Sequence, residues 1–168
     1  MILVGIGANL VRQDNVTPLD TCRWAVSRLD QLPGLHVRGL SRWFETAPVP
    51  PSAQPRFVNA VVHLTATTAI PPGPERLLAW LLEIEQAGGR ERSVANAART
   101  LDLDLIDHER CILDTPDLVL PHPRAHLRGF VLHPLRDVAP NWVHPALGAD
   151  VTTLIDGLEA QDVRALVT

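Results

Sequence analysis

Arg99-Thr-Leu-Asp-Leu-Asp-Leu105 sets leucine against aspartate in strict alternation. Residues i and i+2 of a β-strand share a face, so Asp102 and Asp104 point one way, roughly 6.5–7 Å apart. Leu101, Leu103 and Leu105 then fill the opposite face. Any half-buried strand with a wet acidic side has this pattern too. Its company sets this one apart: Arg90, Arg92 and Arg99 come before it, and a basic-histidine cluster follows. Paired carboxylates suit a hard divalent cation such as Mg²⁺, and guanidiniums fork onto phosphate oxygens. Together they point to a site for metal-bound polyphosphate.

Working outward, the strand closes a series of elements. Ile2–Gly7 is a short apolar run that reads as a buried strand. Thr17-Pro18 starts a helix, with Thr as N-cap and Pro at the first helical position, and Leu19, Cys22, Ala25, Val26 and Leu29 follow at helical spacing. Pro33-Gly34 stops it. Leu35–Thr46 and Arg56–Thr67, rich in β-branched and aromatic residues, read as two strands. The proline-rich loop 47–55 between them cannot enter a sheet interior. Pro74–Gln86 reads as a second helix, ended by Gly88-Gly89. His108–Thr115 is expected to return as a peripheral hairpin, His126–Val138 to hold a short helix and Thr152–Leu158 a last one. The core order is β-α-β-β-α-β. That is the ferredoxin-like arrangement of the α+β class, an antiparallel sheet with helices packed on it. Strand four is expected near the sheet centre. Residues 1–168 read as a single domain.

Composition narrows the chemistry. Of 168 residues, 46% are hydrophobic and 20% charged, as in an ordinary globule with room for a core. A net charge of −4 argues against a nucleic-acid binder. The two cysteines, Cys22 and Cys111, make no disulfide framework, and the histidines show no zinc-ligand spacing. No signal peptide, lipid anchor or long apolar run is visible, so no membrane partner is expected and the cytoplasm is the expected location. All 15 basic residues are arginine. Without lysine there is no P-loop and no Schiff base, so arginine and metal must handle any phosphate.

Further positions carry chemistry. Glu85 stands at the C-terminal end of a helix, where the macrodipole disfavours an anion. The glycine-led loop 88–98 is placed to fold over a ligand. Pro121 and Pro123 hold the backbone around His122, which suits either a phosphate contact or a packed structural histidine. Phe57 and Asn59 share a strand face. An aromatic plane beside a carboxamide suits a flat heterocycle, although Phe57 also fits an ordinary core position. Gly5-Ile6-Gly7-Ala8-Asn9 lacks the third glycine of a dinucleotide fingerprint and reads as a tight strand-to-helix turn.

These stretches together resemble the 6-hydroxymethyl-7,8-dihydropterin pyrophosphokinase family of folate biosynthesis. The resemblance runs from about residue 3 to 140. It rests on Gly5–Leu10, Glu45-Thr-Ala-Pro48, Gln54-Pro-x-Phe-x-Asn59, Glu85 with Gly89-Arg90-x-Arg92, Arg99-Thr-Leu-Asp-Leu-Asp104, Pro121-His-Pro-Arg124 and Arg128-Gly-Phe-Val-Leu-x-Pro-Leu135. It implies transfer of pyrophosphate from ATP to the pterin, leaving AMP. It implies two Mg²⁺ ions on Asp102 and Asp104, and catalysis by these aspartates with Arg90 and Arg92. Glu85, Arg92, Arg99, Leu105, His122 and Arg128 would bind nucleotide. Thr46, Pro48, Val49, Phe57, Asn59 and Phe130 would bind pterin, with the two phenylalanines sandwiching it. Three loops, about 8–14, 47–55 and 88–98, would close over the substrates. A monomer is expected. This chain departs from the family pattern at Asn96-Ala-Ala98, where many members carry tryptophan before the matched Arg99. A pterin-binding relative with altered substrate or no transferase activity is the rival possibility.

Overall fold

In the computed structural model, residues 1–89 and 100–167 are described. Thirteen elements follow in order. Strand β1 (Ile2–Ala8) leads to helix α1 (Pro18–Asp30), then β2 (Leu35–Leu40), β3 (Phe44–Thr46) and β4 (Phe57–Ala66). Helix α2 (Pro74–Ala87) precedes β5 (Asp102–His108), the small hairpin β6 (Leu113–Asp114) and β7 (Val119–Leu120), and a 3-10 turn over Ala125–Leu127. Helices α3 (Gly129–Val138) and α4 (Val151–Asp156) and strand β8 (Val163–Ala165) complete it.

The main sheet runs β5-β1-β4-β3-β8, with β2 also paired to β4, and every pairing is antiparallel. Two cores sandwich it. On one face Ile2, Val4, Ile6 and Ala8 of β1 meet α1 through Cys22, Ala25 and Leu29 and α2 through Leu77, Leu81 and Ile84. On the other, Leu3, Val61 and Ile106 pack against Val131, Leu132 and Leu135 of α3 and Val151 of α4. Thr17 caps α1 as its sequence implies: its Oγ accepts from Asp20 N–H at 3.2 Å, with Pro18 next.

The strand expected near the sheet centre, β5, lies at its edge. Its leucines are buried because α2 covers that face, and face burial says nothing about the number of neighbouring strands. Glu85 helps close the open edge. Its Oε2 accepts from Leu103 N–H at 2.9 Å, and the side chain is 2% exposed.

The single strand expected over 35–46 is broken at 41–43. Ser41 stitches the break, its Oγ accepting from Val61 N–H at 3.0 Å and donating to Arg42 O at 2.7 Å. Arg42 leaves the sheet to grip Asp137 of α3 through Nε and Nη2, at 3.0 and 3.1 Å. The hairpin expected over 108–115 is displaced: β5 runs on to His108, and the turn follows at Glu109 and Arg110, both at positive φ. The strand expected over Ile2–Gly7 is β1, and the tight turn also read over Gly5–Asn9 does not form there, since the strand runs through Ala8.

Candidate active site

The β1 glycines shape the site. Side chains alternate along a strand, and the helix-facing set of β1 is filled by Ile2, Val4, Ile6 and Ala8. Gly5 and Gly7 fall on the other face, so the middle strand there carries no side chain. Neighbouring strands supply what stands around this bare floor. Gly7 lies opposite Asp102 on β5 and Asn59 on β4, and Gly5 opposite Asp104 and Val61. With strands 4.7–4.9 Å apart, Asp102 and Asn59 are separated by roughly 10 Å across the glycine. The result is a cleft of about 550 Å³.

At one end stand the charges. Asp102 and Asp104 share the cleft face, half-buried, while Leu101, Leu103 and Leu105 fill the helix-side core. The alternation persists until a bulge opposite Leu3 and Val4. Beyond it Asp107 is buried and accepts from Trp142 Nε1 at 2.8 Å and Arg110 N–H at 3.0 Å. Asp107 is thus a structural carboxylate on the same strand. His122, Arg124 and Arg128 form the wall above the pair. His122 N–H donates to Ile106 O at 2.9 Å, fastening the Pro121–Arg124 segment to β5. Burial and Arg124 lower the Arg128 guanidinium, opposed by Asp104 and Asp102; it remains a cation beside that pair.

Burial first, then Arg128 and Arg124, hold the His122 ring down at about 4. Its Nδ1 accepts from Arg124 N–H at 3.1 Å. A neutral ring with Nδ1 as acceptor carries its proton on Nε2, which makes Nε2 a donor. The unfolded chain therefore takes up a proton before the folded one as pH falls. The stability contributed by the neutral ring is full above pH 6.5 and is lost progressively toward pH 4. Histidine NMR of the free protein should show His122 neutral as the Nε2–H tautomer at pH 6. A midpoint at or above 6.5 would contradict this wall geometry.

At the other end the lining is apolar and hydrogen-bonding. Asn59 Nδ2 donates to Thr46 Oγ1 at 2.6 Å, and the two residues are 6% and 2% exposed. Phe57 and Phe130 line the same cleft, with Pro48, Val49 and Pro50 along its rim. Arg128 lies over Phe130, 5.3 Å from guanidinium carbon to ring centre, joining the charged and aromatic halves.

Ten of the residues singled out from sequence line this one cleft: Thr46, Pro48, Val49, Phe57, Asn59, Asp102, Asp104, His122, Arg128 and Phe130. Glu85 and Leu105 do not. Glu85 is buried on the α2 side holding Leu103, and the Leu105 side chain is in the helix-side core. Arg90, Arg92 and Arg99 lie outside the described residues. Two further residues had no role assigned from sequence. Arg124 lines the charged wall. Asn9 donates to Gln54 Oε1 and Pro55 O, both at 3.1 Å, and so ties the end of β1 to the proline-rich loop. Both residues stand in the quoted motifs, but hydrogen bonds spanning 45 positions leave no local trace.

Residues 3–140 match the family of 7,8-dihydro-6-hydroxymethylpterin-pyrophosphokinase (HPPK). The chain is 35% identical over 161 residues to 2-amino-4-hydroxy-6-hydroxymethyldihydropteridine pyrophosphokinase of Synechocystis sp., covering 96% of this chain and 77% of that one. The protein of the same name from Pseudomonas aeruginosa is 36% identical over 140 residues, 83% of this chain and 81% of its own. That from Bacillus subtilis is 33% identical over 147 residues, 88% and 83%. A solved HPPK-DHPS structure in complex with substrates superposes with a TM-score of 0.60 at 13% identity, over 92% of this chain and 44% of the longer one. That likeness concerns the fold.

Proposed function

Since the chain belongs to the 7,8-dihydro-6-hydroxymethylpterin-pyrophosphokinase family, we propose that it moves a pyrophosphoryl group from ATP to 6-hydroxymethyl-7,8-dihydropterin in folate biosynthesis. The observation that carries this is one cleft with two chemically distinct ends on a common glycine floor. The carboxylate pair and the His122–Arg128 wall suit a polyphosphate, and the Asn59–Thr46 pair with Phe57 and Phe130 suits a flat heterocycle. The β-α-β-β-α-β ferredoxin-like core is part of the same proposal, with β2 and β3 together standing as its second strand.

The pterin hydroxymethyl oxygen forms a bond to the β-phosphorus of ATP. The bond from that phosphorus to the α,β-bridging oxygen breaks, AMP leaves with the oxygen, and the hydroxymethyl proton goes to solvent. Asn59 and Thr46 orient the ring by its polar edge, and Phe57 and Phe130 hold its faces. Arg128 neutralises charge on the phosphate oxygens as it shifts toward AMP, and the neutral His122 ring donates its Nε2–H to them. Two half-buried carboxylates fit Mg²⁺, which takes one or two protein carboxylates and completes its shell with phosphate and water. Among the described residues no cluster of three or more acidic, histidine or cysteine side chains would hold an ion unaided. Asp102 and Asp104 would hold two Mg²⁺ ions, which would supply charge neutralisation. Arg90, Arg92 and Arg99 are proposed to meet the phosphates from the 88–98 segment, with Glu85 and Leu105 acting at the nucleotide through their support of β5.

Among the described residues no helix is long and apolar enough to cross a membrane. A cytoplasmic monomer working on these two small substrates is the proposed setting. No observation favours a pterin-binding relative without transferase activity. The deciding experiment mixes the protein with Mg-ATP and 6-hydroxymethyl-7,8-dihydropterin. AMP and pterin diphosphate should appear one for one. Pterin binding without AMP formation would establish the rival.

A further inference from the structure

The family match ends at residue 140, yet the C-terminal segment returns to the sheet beside the cleft. Strand β8 pairs with β3, and Ala47 N–H donates to Asp162 O at 3.2 Å, so residues 161–165 are fixed to the sheet at the root of the rim loop. From this anchored position Gln161 reaches the start of α3. Its Oε1 accepts from Gly129 N–H at 2.7 Å, and its Nε2 donates to Leu127 O at 3.1 Å. One carboxamide therefore grips the chain on both sides of Arg128.

Helix starts leave N–H groups without intrahelical partners. Arg128, the residue before α3, is extended at φ −119° and ψ 112° and offers no side-chain cap. Gln161 supplies that cap from 32 positions away. Gly129 makes the approach possible. A Cβ there would stand 2.9 Å from Gln161 Oε1 and 3.2 Å from Val163 Cγ2, both too close to tolerate without movement.

We propose that Gln161 is a positioning residue for the charged end of the cleft, holding the peptides either side of Arg128 so that its guanidinium meets the phosphates. The proposal rests on the transferase reading above. An arginine has a long flexible stem, so its aim depends on where its backbone is held. Gln161 transfers the position of the sheet, through β8 and β3, to that backbone.

Gln161→Leu removes both hydrogen bonds at similar size. It should lower kcat about tenfold and weaken Mg-ATP binding about fivefold, with pterin affinity changed less than threefold. Gly129→Ala, which displaces the amide, should give the same profile. Asp162→Ala cuts the side-chain ion pair with Arg56 but keeps the backbone bonds that anchor the segment to β3. It should lower the melting temperature while kcat stays within twofold. If Gln161 acts through Arg128, adding Gln161→Leu to Arg128→Ala costs less than about twofold more in kcat. Independent multiplicative effects in that cycle, or wild-type kcat and Mg-ATP affinity in both Gln161→Leu and Gly129→Ala, would overturn the proposal. A wild-type protein that binds Mg-ATP without making AMP would sink the transferase reading alone, and the fivefold affinity loss would still decide the role of Gln161.

Discussion

Asp102→Asn and Asp104→Asn should each reduce AMP formation by at least about 10³-fold, which is about 4 kcal/mol of lost transition-state stabilisation. Each change replaces an anionic oxygen with a neutral carboxamide where charge must be balanced between arginines, metal and phosphates. Neither should disturb the fold. Both side chains are half-buried on the cleft face, and the helix-side core here comes from Leu101, Leu103 and Leu105. Melting temperatures should stay within about 2 °C of wild type, less than the shift expected from 1 kcal/mol. Asp107→Asn is the useful contrast, because its carboxylate holds Trp142 and Arg110 rather than lining the cleft. There stability should fall while residual turnover persists. More than a tenth of wild-type turnover in either cleft mutant would show that the pair does not handle the metal.

Gly7→Ala should cost both stability and pterin binding through one added methyl. A Cβ at residue 7 would sit 2.8 Å from Asn59 Oδ1, so the carboxamide must move. Its 2.6 Å bond to Thr46 then breaks between two buried residues. Leaving such groups unpaired costs about 1–3 kcal/mol. In a domain of this size that corresponds to a fall of roughly 2–12 °C in melting temperature. Pterin affinity should drop about 30- to 100-fold, while Mg-ATP binding changes little. Gly5→Ala tests the steric argument. Its nearest neighbour would be Ile106 Cδ1 at 3.5 Å, an ordinary contact, so the fold should be untouched. The double variant Gly7→Ala with Asn59→Ala removes the clash. Added to Asn59→Ala, which already leaves Thr46 without this partner, Gly7→Ala should cost little further stability and leave pterin binding lost, as seen by calorimetric melting and direct titration. Recovery of pterin binding would move the heterocycle away from Asn59.

Local periodicity made much of this molecule legible. The leucine–aspartate alternation at 101–105 and the Thr17-Pro18 cap each report their own surroundings, and the structure agrees with them. What failed was non-local. The edge position of β5 depends on topology, which side-chain alternation along one strand does not encode. β8, only Val163–Ala165, is too short and exposed to announce itself, yet it holds β3. Ile2–Gly7 is legible as a strand, while the turn expected over Gly5–Asn9 gives way to strand through Ala8, and that strand needs its glycines because a ligand-sized space lies above them. Glu85 stood out correctly as an anion in an unfavourable place, but its described partner is the Leu103 amide.

A sheet ordinarily owes its strength to both faces. Over the middle of this one, the glycines of β1 leave the cleft face without side chains of its own, so whatever binds there becomes part of the packing. Occupancy and thermal endurance are then linked by mass action. A compound present at 100 times its dissociation constant adds about 2.7 kcal/mol to the folded state. For a chain of this length that is a rise of roughly 5–11 °C. Heat alone can therefore rank candidate compounds for this cleft, with no assay of chemistry, and Gly7→Ala supplies the blank that separates occupants of the heterocycle end from those of the charged end.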